Sequence, residues 1–244
     1  MITISHTPSS YTDAWETIRN FISKWHNVSL AWKMDDHIEK INSVEAKAGR
    51  TLPPSLKEWI CFIEHMLKTD QWIFRDSYDI SFSEKFQAVT LMIQGEADYY
   101  WAVKIENLSF EDPPVDGYLL DYEGDTGDFL HHELKAHRLT SFVLKYLLDY
   151  HYMFVGTGGY FTPLTNRSKT IEEFAKALGP YVRIEDYLVF ESETVIAYIV
   201  EDAGDPDRGG LGVHYRAAIH ELPACVKNNF SERTMHYGFD LRRG

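Results

Sequence analysis

Three histidines and a glutamate crowd into "HHELKAH", residues 131–137. A zinc hydrolase holds its metal with two histidines four apart on one helical face, as H-E-x-x-H, with the glutamate as general base. Counting from His132-Glu133, the fourth position is Ala136. His137 comes one residue late, about 140° further round a helix that turns about 100° per residue. The spacing suits a solvated polar turn ahead of a helix. A metal-dependent hydrolase built on His131, His132 and His137 stays as a minor alternative. "DYEGDTGD" puts Asp121, Glu123 and Asp125 at the first, third and fifth positions of a calcium loop. The sixth is then Thr126 rather than glycine, and the twelfth, His132, cannot be the bidentate carboxylate. Gly156, Gly158 and Gly159 precede no Lys-Ser or Lys-Thr pair, so they make no phosphate loop. No G-x-S-x-G elbow occurs, and "RGGLG" reads as a flexible loop. No catalytic residue, metal or cofactor is expected.

Charge gives a stronger signal. From Glu96 to Glu133 there are eleven acidic residues, one lysine (Lys104) and no arginine. The acids fall at expected turns among Tyr99, Tyr100 and Tyr122. Such a pattern can be a solvated sheet edge that discourages aggregation. It can equally be a docking face, where dispersed carboxylates steer a basic partner and tyrosines supply contact area. As a docking face it would comprise Glu96, Asp98, Tyr99, Tyr100, Glu111, Asp112, Asp116, Asp121, Tyr122, Glu123, Asp125 and Asp128.

The whole chain agrees in sign. Its 244 residues carry a formal net charge of −13, which disfavours binding to nucleic-acid phosphates and favours a basic partner. The opening "MITISHTPSSYTDAWETIRNF" has neither a basic leader nor the apolar core of about 7–15 residues that a signal peptide needs. No run of about 18 apolar residues predicts a membrane span. Cys61, among Trp59, Ile60, Phe62 and Ile63, reads as a buried thiol, and with Cys225 far away a reduced, cytoplasmic protein is expected.

The elements that would position these residues follow from periodicity. "SSYTDAWETIRNFISKW" sets Trp15, Ile18, Phe21, Ile22 and Trp25 at helical spacing, with Ser10 and Asp13 as a capping box. "DDHIEKINSVEAKAG" repeats the pattern and stops at Gly49, a left-handed cap. After Pro53-Pro54, "SLKEWICFIEHML" is a third helix, with Ser55 as its cap. The turn between them holds no plausible nucleophile or base and reads as a structural elbow. From Gln71 the period moves toward two. "WIFRDSYDISF", "AVTLMIQ" and "YYWAVKIE" read as strands, with "QGEAD" a hairpin connection and "DGYLLDYEGDTGD" a strand running into a turn. "TSFVLKYLLDY" is helical, with Thr140 as cap. Beyond the glycine-rich "VGTGGYFTPL" come the helix "TIEEFAKALGP", the strands "YLVFES" and "TVIAYIVED", and the loop "GDPDRGGLG". Helices first, then mostly antiparallel strands, then mixed elements define an α+β architecture.

The run Ile41, Val44-Glu45, Gly49, Leu52-Pro53 and Leu56-Lys57-Glu58-Trp59 resembles the signature of the SUKH superfamily, named for fungal cell-wall regulators and bacterial immunity proteins. Its pattern is an amphipathic helix, G-x-x-L-P, then a helix with an aromatic residue shortly after an acidic one. "LMIQGEADYYWAVKIENLSFEDPPVDGYLL" is similar to the family's central strands, with the Trp101 strand and the Asp112-Pro113-Pro114-Val115 corner. "LTSFVLKYLL" is similar to its closing helix. The resemblance spans roughly residues 36 to 150, about half the chain. It implies N-terminal helices packed on a twisted, mainly antiparallel sheet within residues 1–154. Residues 155–244 would be a C-terminal α/β extension that continues the sheet or forms a small subdomain. It further implies a non-catalytic immunity protein that binds and neutralises a cognate toxin by occlusion. That toxin would be a basic protein, such as a nuclease. A regulatory scaffold of the same fold, recruiting partners, is the alternative.

Overall fold

A computed structural model describes residues 2–26, 28, 30–69, 80–94, 99–120, 129–149, 158–164, 166–201 and 209–228. The architecture is α+β, with two separate antiparallel sheets of five strands each. The chain divides into two compact units. One comprises Ser9–Arg19 and Val28–Val143, the other Met1–Pro8, Asn20–Asn27 and Leu144–Gly244. The helices α1 (Tyr11–Trp25) and α4 (Leu139–Asp149) each begin in the first unit and end in the second.

In the first unit, α2 (Ile38–Ala48) and α3 (Pro54–Thr69) flank the elbow read from the sequence. Gly49 adopts φ 65° and its N–H bonds the Glu45 carbonyl, the left-handed stop that a side chain would oppose. The Glu45 carboxylate accepts the Leu52 N–H at 2.9 Å and pairs with Lys57 at 2.8 Å, which locks the turn from inside. Burial raises and these donors lower the Glu45 acidity constant, and the net shift is downward. Pro54 is the first residue of α3, where its missing N–H costs nothing. Ser55 therefore sits inside the helix rather than capping it, and its N–H goes to the Glu111 carbonyl at 3.2 Å. At the start of α1, Asp13 reaches back to the Ser9 N–H at 2.8 Å, one residue earlier than a Ser10 box would have it.

The apolar stripes meet as their spacing requires. Trp59 packs 5.6 Å from Phe62, and Phe62 lies 6.1 Å from Trp15 and 5.6 Å from Trp32. Leu56, Trp59, Ile60, Cys61 and Ile63 are fully buried. Burial, ahead of the nearby Glu58 charge, pushes the Cys61 thiol up to about 12, so it stays an unreactive core group. Glu58 accepts from Arg19 at 2.6 Å and from the Trp32 indole at 2.9 Å.

The first sheet is a meander of β1 (Phe82–Ser83), β2 (Ala88–Gln94), β3 (Tyr99–Lys104), β4 (Val115–Leu120) and β5 (Phe129–Ala136), paired in that order. Most of "WIFRDSYDISF" and all but the first residue of the "QGEAD" connection lie outside the described residues. "HHELKAH" was expected as a polar turn, yet its residues up to Ala136 form β5. Cross-strand pairing to β4 overrides the local polarity.

Residues after 154 build a sheet of their own. It contains β6 (Gly158–Leu164), β7 (Val182–Ile184), β8 (Tyr187–Glu191), β9 (Val195–Glu201) and β10 (Gly209–Tyr215), in the order β6-β10-β9-β8-β7. The helix α5 (Arg167–Leu178), capped by Asn166, and the short α6 (Ala224–Lys227) bury Phe174 and Val226 with Phe190, Ala197, Leu211 and Val213 of the strands. The expectation of a loop at "RGGLG" is overturned from Gly209 onward, because this segment is an internal strand of the sheet. The reason is Tyr198, the cross-strand neighbour of Gly212. A Cβ at Gly212 would come within 2.1 Å of the Tyr198 ring, so glycine is what the sheet requires there.

The same unit buries a carboxylate. Glu191 on β8 accepts from Thr3 N at 2.8 Å, Ile4 N at 2.7 Å, Lys24 Nζ at 2.8 Å and Trp25 Nε1 at 3.1 Å. His26 is also buried, and desolvation, with the Arg216 charge second, lowers it to about 3.

Two outcomes follow. Trp59→Ala should cost about 3–5 kcal/mol in urea denaturation, as large aromatic truncations do; a loss under about 1 kcal/mol would show that the elbow does not depend on this ring. His26 stays neutral in the fold while an unfolded histidine binds a proton below its ordinary 6.5. The unfolded chain thus holds more protons between about pH 6.5 and 3, and stability falls as pH falls through that window, by up to about 1.4 kcal/mol per unit. His26→Gln should show a shallower loss between pH 7 and 4.5; an unchanged slope would contradict the assignment.

Candidate binding surface

The strands β3, β4 and β5 set two rows of side chains by register. Tyr100 pairs with Tyr118, which pairs with His132, and the neighbouring Ala102, Asp116 and Leu134 line the same face. Tyr99, Trp101, Gly117 and Glu133 take the opposite face. There Trp101 packs 5.9 Å from Phe142 of α4, which makes it the core side.

On the outer face Phe86 stacks 5.0 Å from Tyr118 and 5.1 Å from Tyr100, and the exposed His132 ring follows 4.9 Å beyond Tyr118. Buried Ala88 and Ala102 form the floor. Asp116, only 4% exposed, accepts His132 Nε2 at 2.8 Å and faces Lys104 Nζ at 3.6 Å. Burial first, then the charges of Asp116 and Glu106, push the Tyr118 hydroxyl well above its ordinary value, so it remains protonated. Leu134 is 48% exposed on this face.

On the core side, the Tyr99 hydroxyl donates to Glu133 at 2.9 Å, and Lys135 pairs with Glu133 and stands 5.1 Å above the Tyr99 ring. Gly117 makes room, since a Cβ there would lie 2.1 Å from the Tyr99 oxygen.

The acids proposed from the sequence divide. Asp112 accepts the Thr140 N–H at 3.1 Å and the Thr140 hydroxyl, so it caps α4 from across the corner. Thr140, expected as the cap itself, is the donor. Burial pushes the Asp112 carboxyl up despite these bonds. Asp112 and Asp116 are thus committed inside the fold. Glu111 is exposed, Tyr99 and Tyr100 are half-buried, and Phe110, unmarked by any sequence signal beyond its polar neighbours, is 56% exposed. Glu96, Asp98, Asp121, Tyr122, Glu123, Asp125 and Asp128 lie outside the described residues, as does the whole calcium-like segment 121–128.

The described strand ends still carry information. Tyr99 pairs with both Gln94 and Leu119, and Leu120 pairs with Phe129, so these ends share one end of the sheet. The connections between them, residues 95–98 and 121–128, hold Glu96, Asp98, Asp121, Glu123, Asp125 and Asp128 and no basic residue.

Among the described residues no group of three or more His, Cys, Asp or Glu side chains could hold a metal ion. The second unit has a shallow polar cleft of about 380 Å³ lined by Thr3, Asn20, Ser23, Lys24, Glu193 and Arg216. Its cations are engaged internally, Lys24 by Glu191 and the Ser192 carbonyl and Arg216 by the Trp25 carbonyl. No described helix is long and apolar enough to cross a membrane. No family model, no curated protein and no solved structure matches the chain.

Removing the cap tests the Asp112 assignment. Asp112→Ala should destabilise by about 1 kcal/mol, within the range of lost helix caps, read from the urea midpoint; an unchanged midpoint would return Asp112 to the free surface.

Proposed function

We propose that the chain is a non-catalytic immunity protein of SUKH type, acting in the cytoplasm, that binds a cognate basic toxin such as a nuclease and blocks it by occlusion. The observation that carries this reading is the register of the first sheet. It brings the strand ends bordering both acid-bearing connections to one end, next to Tyr99 and Tyr100. The resemblance supports it further, because the G-x-x-L-P residues form a rigid elbow stabilised by Glu45. Six carboxylates without a basic neighbour in either connection raise the local concentration of a cationic partner and speed encounter. Tyrosines beside them supply area that sets the dissociation rate.

The test is to use the chain as bait in lysate, with its chromosomal neighbours co-expressed, and to identify the partner by mass spectrometry. The partner should be basic and toxic or enzymatically active, and one equivalent of chain should abolish that activity. Tyr100→Ala should raise the dissociation rate about tenfold or more, as loss of an aromatic anchor does. An acidic partner, or a bound partner whose activity is untouched, would contradict the reading.

A further inference from the structure

The last turn of α4 ends on an acid, where the helix dipole is least favourable to one. Asp149 stands at the exposed end of the helix, and its carboxylate accepts the Tyr187 hydroxyl at 2.8 and 3.0 Å. Tyr187 is stacked on Tyr198 at 5.5 Å with the rings nearly parallel, and Tyr198 lies 5.9 Å from His214. One turn earlier, Lys145 pairs with Asp186 at 2.6 Å, approaches Glu185 at 3.8 Å and stands 5.0 Å over the Tyr187 ring. His214 Nε2 meets the Leu148 carbonyl at 2.9 Å. Every one of these groups belongs to the second unit, and together they fasten residues 145–149 to β8, to the turn before it and to β10.

We infer that this turn is a pH-sensitive latch, tight when Asp149 is protonated and loosened when it ionises. The charged and titratable groups facing the carboxyl among the described residues are Lys145, Tyr187, Tyr198, Asp186 and, through Tyr198, His214. Two effects oppose the anion: the helix C-terminus and the neighbouring Asp186. The tyrosine hydroxyls and Lys145 offset these only in part, and loss of water around the carboxyl is the largest cause of a value raised to about 6. Both tyrosines are pushed up strongly, by burial first and the Asp149 charge second, so they remain protonated donors throughout. The sign follows. A carboxyl whose folded value lies above its ordinary 3.8 adds stability at low pH and loses it as pH rises through about 6. The latch therefore tightens on acidification, opposite in direction to His26. It does not rest on the toxin-binding reading.

Hydrogen exchange of the intact chain, corrected for the intrinsic pH dependence of exchange, tests it. Protection of the amides of residues 145–149, relative to those of β9, should fall about tenfold or more between pH 5 and 7.5, given a shift of this size. Asp149→Asn should abolish the change. A constant protection, or the same fall in Asp149→Asn, overturns the proposal. If that variant fails to fold, carboxyl-carbon NMR on the unaltered chain decides: a midpoint near 6 supports the latch and one near 4 overturns it.

Discussion

A carboxylate taken out of water has to be met by donors, and this one constraint organises the molecule. Glu45 is met by the Leu52 N–H and Lys57, Glu58 by Arg19 and the Trp32 indole, Asp112 by the N–H and hydroxyl of Thr140. Asp116 is met by His132 and Lys104, and Glu191 by two backbone N–H groups, a lysine and an indole. Each pairing joins segments that are distant in sequence. Each therefore helps choose one arrangement of helices and strands over the many that would bury the same apolar area.

That commitment separates structural acids from those left for a partner. With 37 acidic residues against 24 basic ones, internal pairing cannot neutralise the chain, and the surplus must face solvent. The strands of the first sheet gather much of it near one end, beside tyrosines. Electrostatic attraction from such a surplus acts over about 10 Å in physiological salt and favours encounter more than affinity. A rigid meander behind it means little ordering cost on binding, which lets modest aromatic contacts hold a partner.

The helices were legible because their apolar spacing survives intact in the folded protein. Ile41 and Val44 on α2, and Leu56, Trp59 and Ile63 on α3, are buried as the period demands. Gly49 was legible because a left-handed cap has few chemical solutions. Two strands were not. In β5 the run of histidines and glutamate hides the alternation, and in β10 three glycines suggest a loop when the actual cause is the bulk of Tyr198 from the next strand. The destinations of the carboxylates were out of reach altogether. Glu191 meets Lys24 across 167 residues of sequence, and nothing local marks Asp116 as buried and Glu111 as exposed. Composition could say that the chain is acidic, but only the register could say which acids share an end.

The most direct measurement is the association rate with the captured partner as ionic strength rises from 20 to 500 mM, roughly the range over which the Debye length shrinks severalfold. It should be made for the unaltered chain and for one in which Asp121, Glu123 and Asp125 are all lysine. The account predicts a steep fall with salt for the former, and a slower, nearly salt-independent rate for the latter. Superimposable curves would mean that the acidic end of the first sheet is not where the partner arrives.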